Sequence, residues 1–570
     1  MEHAEFGRNV TEKKVFSVSD ERKINIGKIY HMGQVEKKSE VKLNVAGLTA
    51  HTFITGSTGA GKSNTIYKML EQINEEDVKF LVVEPAKGEY KDITAFGGKS
   101  DVTVYGTNPK VKETEMLQIN PFSFPKEVHV LEHLDRLVEI FNVCWPMYAA
   151  MPAILKDAIE RAYEKAGWDM EMSENKYDDN LFPTFKDVYE QIREVLEESE
   201  YSADNKGDYT GALVTRLRSL TTGINGLIFN ADEISMEELF DTNVIVDLSR
   251  IGSTETKSLI MGLLVLKLQE YRMGVSEANQ HLKHVTVLEE AHNLLKRTSS
   301  EQSSESGNLL GKSVEMLANS IAEMRTYGEG FIIADQSPGL LDMSVIRNTN
   351  TKIILRLPDY EDRELVGRAA GLNDEQIVEL AKLDNGVAAV MQSDWLEPVL
   401  CQIDKYERKY DWMEEYEKSN EENDSLKKIS VEKELLNCIM NNELYRKNDR
   451  VDIKKLKDKV IHSKLETPVK CDFMEYVFAE EPNLFKPLQK LLFDFLHAEK
   501  AIENAKECTE MKPWLRNVIN SLSPSVQSFE TEQINLVLGL IIAEKVQRDA
   551  EYEEIYNHFT ELYIKGRGIV

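Results

Sequence analysis

From about residue 49 to residue 404, short apolar runs alternate with longer stretches of helical spacing. The runs are HTFITG, KFLVVEP, NVIVDLS, HVTVLEE, GFIIADQ, TKIILRL and GVAAVMQ. Each is continuous rather than alternating apolar with polar. Strands covered by helices on both faces show that pattern, because neither face meets water. The pattern predicts an α/β domain built on a parallel sheet.

The flanks differ. Residues 1 to about 48 hold short alternating segments, INIGKIYHMG and VKLNVAG, broken by glycine and by EKKSE, which predicts a small barrel-like β domain. Between about 125 and 235 no strong strand occurs. VLEHLDRLVEIFNVC and MPAILKDAIERAYEKAG read as helices there, so a helical insertion in the sheet domain is expected. Beyond 404, YEKSNEENDSLKK is a polar linker or solvated helix, and 430 to 570 reads as helical with no motif that carries chemistry. The expected organisation is therefore 1–48, 49–404 and 405–570. RTSSEQSSESGN, at 297–308, is serine-rich and expected to be mobile.

Charge narrows the function classes. With 69 basic against 98 acidic side chains the net charge is −29, which excludes a uniformly basic surface that coats nucleic acid. Any DNA contact has to lie in a localised basic lining. The cysteines Cys144, Cys401, Cys438, Cys471 and Cys508 never form a CxxC pair, which suits a reducing cytosol and gives no metal cluster. The polar start MEHAEFGRNV is no secretory signal, and the runs LIMGLLVL and LVLGLIIA fall short of the ~20 residues that span a membrane. A cytoplasmic protein with no membrane partner is expected.

The most specific motif is GSTGAGKS, which matches G-x-x-x-x-G-K-[ST] at Gly56, Gly61, Lys62 and Ser63. Glycines let backbone N–H groups turn inward around phosphates, and the helix SNTIYKMLEQI that follows aims its positive end at them. Gly56, Ser57, Thr58, Gly59, Ala60, Gly61, Lys62, Ser63 and the adjoining Asn64 form the expected nucleotide-binding set. Lys62 would bridge the β- and γ-phosphates of ATP, and the Ser63 hydroxyl would ligate Mg²⁺.

Such an enzyme also needs an acid at the end of another buried strand. NVIVDLSR ends on Asp247 with Leu248 after it, so it offers no second acid and reads as structural. HVTVLEEAHN ends on two adjacent acids, Glu289 and Glu290. They divide the labour: Glu289 for the metal and Glu290 for the attacking water. The bland reading of Glu290 is a helix N-terminal carboxylate favoured by the dipole. The next strand, GFIIADQSP, ends in Gln336, which is either a sensor of the γ-phosphate or a turn cap before Pro338.

The ordered set GKIY…LNVAGLTAHTFITGSTGAGKSNT, VVEPAKGEYKDI, INPFSF, IVDLSRIG, VLEEAHNLL, MRTYGEGFIIADQSP and NTNTKIILRL resembles the HerA-type branch of the HerA/FtsK ATPases, over roughly 20 to 404. The resemblance implies a RecA-like P-loop core, a hexameric ring and translocation on double-stranded DNA. It implies as partner a nuclease or, in anti-phage systems, a sirtuin-like NAD-consuming effector. It marks Lys62 and Ser63 in the phosphate loop, Glu290 as the catalytic acid and Gln336 as the sensor. It also implies an arginine reaching the ATP of a neighbouring subunit, Arg325 first and Arg347 second, with a surface or interface salt bridge as the alternative for each. The chain departs from the family's pattern in lacking an arginine close upstream of the phosphate loop, and in having Glu84 and Glu289 where Asp is common.

For DNA, the stretch NKGDYTGALVTRLRSLTTG (205–223) gathers Lys206, Arg216 and Arg218 near glycines. It is either a pore loop or a solvated helix face. Two functions stay open: a ring motor on duplex DNA, and an ATPase ring acting mainly as scaffold or regulator of an effector. A small-molecule kinase is disfavoured, since paired acids and a sensor amide fit water activation. A GTPase is disfavoured because NTNTK is followed by Ile353 rather than an acid.

Overall fold

Eight parallel strands form the heart of the sheet, and four antiparallel ones extend a single edge. The computed structural model describes residues 22–93, 102–111, 114–145, 147–148, 150–277, 280–297, 305–407, 431–440, 453–479, 485–506, 508, 510–522, 526 and 529–564. The N-terminal MEHAEFGRNV and the polar stretch at 416–428 lie outside them, as does most of the serine-rich segment at 297–308.

In chain order the strands are β1 (Lys23–His31), β2 (Gln34–Asn44), β3 (Thr52–Thr55), β4 (Lys79–Glu84), β5 (Val102–Gly106) and β6 (Glu115–Met116). Next comes a two-residue pair, β7 (Trp168–Asp169) and β8 (Glu174–Asn175). The series closes with β9 (Asn243–Asp247), β10 (His284–Glu289), β11 (Glu329–Asp335), β12 (Thr351–Ile354), β13 (Val387–Met391) and β14 (Val399–Ile403). Spatially the large sheet runs β2-β1-β14-β13-β12-β3-β11-β10-β4-β9-β5-β6. Strands β3, β9, β10, β11 and β12 are buried at every position. That is what their unbroken apolar runs dictate when both faces are covered.

Two features of this order matter for chemistry. First, β11 lies between β3 and β10, so the strand leading into the phosphate loop and the strand carrying Glu289 do not pair. Second, the hairpin β1–β2, set apart in the sequence as a small β domain, pairs antiparallel with β14 and continues the large sheet.

The chain divides into two compact units. One takes in the described residues of Met1–Ala158, Ile192–Phe229 and Glu233–Asp424, and the other those of Ile159–Gln191, Asn230–Asp232 and Ser425–Val570. The first unit holds the sheet, over a core that includes Ile54, Val82, Val287, Ile332 and Ile353. The second is helical, with a core that includes Leu491, Trp514, Val518, Leu538 and Ile541. The stretch expected as one helical insertion is therefore split. Within the second unit, Tyr177 Oη donates to Glu475 at 2.7 Å and Thr467 Oγ1 donates to Asp187 at 2.7 Å. No described helix is long and apolar enough to cross a membrane.

Candidate nucleotide-binding and catalytic site

The phosphate loop leaves the buried end of β3 and enters the helix Lys62–Glu75. Its glycines answer to geometry. Gly59 and Gly61 take φ of 77° and 110°, where a side chain is strained, and a Cβ on Gly56 would meet the Leu355 Cβ at 2.7 Å. The loop is braced from outside: Ser57 N donates to Arg356 O at 2.9 Å, and Gly386 N donates to Ala60 O at 2.9 Å. At the start of the helix the first N–H groups have no partner within the helix, so they are left for an anion. The loop thus fits a polyphosphate.

Lys62 is 6% exposed, and a cation so enclosed needs partners. Its Nζ lies 3.3 Å from Glu289 Oε1 and 3.8 Å from Glu290 Oε1. Glu289 at the end of β10 and Glu290 just after it therefore converge on the phosphate-loop lysine. Burial is the main cause that pushes the Glu289 carboxyl up; Lys62 opposes it and Glu290 adds to it. Glu289 also accepts from Tyr90 Oη at 3.3 Å.

Glu290 is not the first residue of an α-helix, and only a three-residue 3-10 turn follows it. It sits at φ 47° and ψ 49°, a left-handed conformation that costs a non-glycine residue about 1 kcal/mol. Such strain is found where the fold aims a side chain. Gln336 Nε2 donates to Glu290 Oε1 at 2.5 Å, and Thr58 Oγ1 donates to Gln336 Oε1 at 2.7 Å. Gln336 is thereby more than a turn cap: its carboxamide joins the phosphate loop to Glu290.

The other expected residues divide. Ser63 lies in the first turn of the helix and is partly exposed. Asn64 uses its carboxamide elsewhere, donating to Asp404 O at 3.0 Å and accepting from Tyr406 N at 2.9 Å, so of this residue only the backbone remains for phosphate. Asp247 accepts from Ser249 N at 2.9 Å, a turn-capping role. Arg325 and Arg347 are exposed and precede the starts of β11 and β12, whereas the phosphate loop lies at strand C-terminal ends. The length of β11 alone puts Arg325 about 20 Å from its own subunit's site. Both arginines thus lie toward the strand ends opposite the phosphate loop of their own chain.

The stretch expected as a pore loop is helical. It runs Ala203–Tyr209, a π-turn Thr210–Val214, then Thr215–Thr221. Lys206 Nζ donates to Glu197 O at 3.0 Å and Arg216 Nε lies 3.6 Å from Glu255, while Arg218 is exposed. A Cβ on Gly207 or Gly211 would meet nothing within 4 Å, so these glycines are not required by a turn.

Sequence reasoning missed Tyr90, His292 and Asp335, and the Thr58 contact to Gln336. ADQ and EEAHN carried the signal for His292 and Asp335, next to residues already singled out.

The description "Helicase HerA, central domain" matches residues 24–268. The DNA double-strand break repair helicase HerA of Sulfurisphaera tokodaii is 24% identical over 425 residues, covering 73% of this chain and 77% of that protein. The same-named protein of Sulfolobus acidocaldarius is 26% identical over 400 residues, covering 69% and 71%. The chain is a P-loop ATPase similar to the HerA helicases over these residues. The matched region takes in the phosphate loop and stops short of β10, so the family description does not reach Glu289, Glu290 or Gln336. Among solved structures, VirB4 of Thermoanaerobacter pseudethanolicus is similar in fold, with a TM-score of 0.50 at 17% identity over 68% of this chain and 98% of that one.

Proposed function

We propose that this HerA-type ATPase is a ring motor, a hexamer that moves along double-stranded DNA and serves an effector, a nuclease or sirtuin-like NADase, in anti-phage defence. The single observation that carries the catalytic half is the convergence of Lys62, Glu289, Glu290, Gln336 and Thr58 at the ends of β3, β10 and β11. The DNA half is supported by the curated relatives, whose names are those of DNA double-strand break repair helicases. Ring, effector and defence role rest on the family resemblance.

In this reading the ATP γ-phosphate takes Lys62 from Glu289 and Glu290. The Ser63 hydroxyl and the Glu289 carboxylate are hard oxygen donors of the kind that suits Mg²⁺, which when bound would offset charge on the phosphate oxygens. Glu290 accepts a proton from water as its oxygen attacks the γ-phosphorus, and the bond to the ADP oxygen breaks. Gln336, hydrogen-bonded to both Thr58 and Glu290, is placed to pass loss of the γ-phosphate to β11. Arg325 or Arg347 of a neighbouring subunit completes the site.

The test is Glu290→Gln, which should keep nucleotide affinity while turnover falls roughly 10²–10⁴-fold. Normal hydrolysis by that variant would remove the catalytic assignment. The motor itself is tested by the steady-state ATPase rate with and without linear duplex DNA, at low and moderate salt. Salt-sensitive stimulation supports translocation.

One observation favours the second reading, a ring that acts mainly as scaffold for the effector. Two of the three basic side chains expected along the DNA are already engaged, Lys206 by Glu197 and Arg216 by Glu255. A rate indifferent to DNA would select it.

A further inference from the structure

His51 sits at the base of the phosphate-loop strand, between the 3-10 turn Ala46–Ala50 and β3. Its backbone takes φ 63° and ψ 154°, a region otherwise left to glycine. The residue is only 2% exposed. Its carbonyl oxygen accepts from Asn350 N and Thr351 N, both at 3.1 Å, which ties the strained backbone to the start of β12. A strained backbone carrying an enclosed ring persists where the surrounding structure holds it for a purpose.

The ring reaches toward Arg325. Nδ1 accepts from Phe331 N at 3.1 Å, and the two rings meet edge to face with centroids 5.5 Å apart. Since Nδ1 accepts, the neutral ring carries its proton on Nε2. That nitrogen is buried and faces the carbonyls of Ile321 and Ala322 without reaching hydrogen-bond geometry. Both belong to the last turn of the helix Glu305–Glu323, where carbonyls run out of intrahelical partners. Arg325 follows in the 3-10 turn Met324–Tyr327, which packs against the turn Ala46–Ala50. β11 approaches that same turn so closely that a Cβ on Gly330 would meet Leu48 O at 2.8 Å. Burial is the main cause that pushes the imidazole pKa down to about 4; the two carbonyls and Glu329 oppose it, and Arg325 adds to it. The ring is thus neutral near pH 7 and acts by shape and hydrogen bonding rather than by charge.

We propose that His51 is a positioning residue for Arg325: from the base of one subunit's phosphate-loop strand it holds the turn that presents this arginine to the neighbouring subunit's ATP. This rests on the reading of Arg325 as the arginine that completes a neighbour's site. β3 spans only Thr52–Thr55, about 13 Å, and is buried throughout, so a short strand ties the ring to Gly56 at the start of the phosphate loop. One strand thereby carries at one end the loop for the subunit's own nucleotide, and at the other the seat of the arginine given to the next subunit.

The experiment uses the full chain. His51→Gly removes the ring and relieves the backbone; its affinity for a fluorescent ATP analogue should match the wild type, while turnover falls roughly ten- to a hundredfold. His51→Asn can keep the bond from Phe331 N but is too short to reach the helix end, and its turnover should fall as far. Each variant is then co-expressed with Glu290→Gln under a second tag, and mixed assemblies are purified through both tags. Activity should return, as it should when Arg325→Ala is mixed in the same way, because an intact Glu290 then receives a well-held arginine from its neighbour. No return where Arg325→Ala does recover would place the defect in the subunit's own phosphate loop and overturn the inference. Wild-type turnover by either His51 variant would overturn it too. Normal turnover by Arg325→Ala or by Glu290→Gln alone, or no recovery in their mixture, would mean instead that the underlying reading of the site has failed, and the two failures are told apart.

Discussion

Gln336 holds Glu290 at 2.5 Å, although the two residues follow different strands and lie 46 positions apart. The other end of the same carboxamide accepts from Thr58 in the phosphate loop at 2.7 Å. An amide with a donor at one end and an acceptor at the other is the side chain that can make both contacts at once.

Gln336→Ala should therefore leave ATP affinity within a few-fold of wild type and lower kcat by roughly ten- to a hundredfold, the worth of a hydrogen bond to a charged group. Separate determination of kcat and KM checks it. A loss confined to KM would mean that Gln336 serves binding alone.

Glu84 predicts a pH effect on stability. It is 2% exposed at the end of β4, and its two oxygens accept from Glu89 N at 2.8 Å and Tyr90 N at 3.1 Å. Burial is the main cause that pushes its carboxyl from 4.5 up to about 8; the two N–H donors oppose this, and Asp247 and Glu289 add to it. The folded state thus binds this proton more tightly than the unfolded chain. The stabilisation is complete below the unfolded value and is lost as pH rises to about 8. Glu84→Gln cannot titrate, so its Tm should gain on that of wild type between about pH 5 and pH 8. Melting curves at both ends that keep a constant gap would show that Glu84 does not titrate in this range.

Arg325 precedes the start of β11, the far end from the phosphate loop of its own chain, so in the proposed ring it serves a neighbouring subunit. Arg325→Ala should keep ATP binding and lose hydrolysis by roughly 10³-fold or more if it completes the neighbour's site. Mixing it with Glu290→Gln subunits should recover some activity, because an intact arginine then faces an intact Glu290. No recovery, together with full activity of Arg347→Ala, would leave both as surface residues.

Of the basic side chains on the helix through 203–221, Arg218 is the exposed one, whereas Arg216 faces Glu255 at 3.6 Å. If this face meets DNA, Arg218→Ala should reduce the dependence of log affinity on log salt by about one, and Arg216→Ala by less. Equal slopes in all three proteins would place the DNA path elsewhere.

The sequence by itself determined the local devices. Gly59 and Gly61 are needed for backbone angles, Lys62 and Ser63 follow at fixed offsets, and the unbroken apolar runs of β3, β10 and β11 announce a sheet buried on both faces. Each of these depends on neighbours along the chain, so a one-dimensional pattern can carry it. The tertiary structure decided what depends on strand order. That β11 lies between β3 and β10 is what brings Thr58, Gln336 and Glu290 into one chain of hydrogen bonds and stations Asp335 behind His292. The alternating pattern of β1 and β2 suits a separate barrel or the edge of a larger sheet equally, and pairing with β14 made it an edge. The glycines at 207 and 211 suggested a loop, yet a helix tolerates glycine at modest cost, and the packing of Leu213, Leu217 and Leu220 kept the segment helical. Side chains far apart in sequence meet only after the sheet has been ordered, and no periodicity in the chain encodes that order.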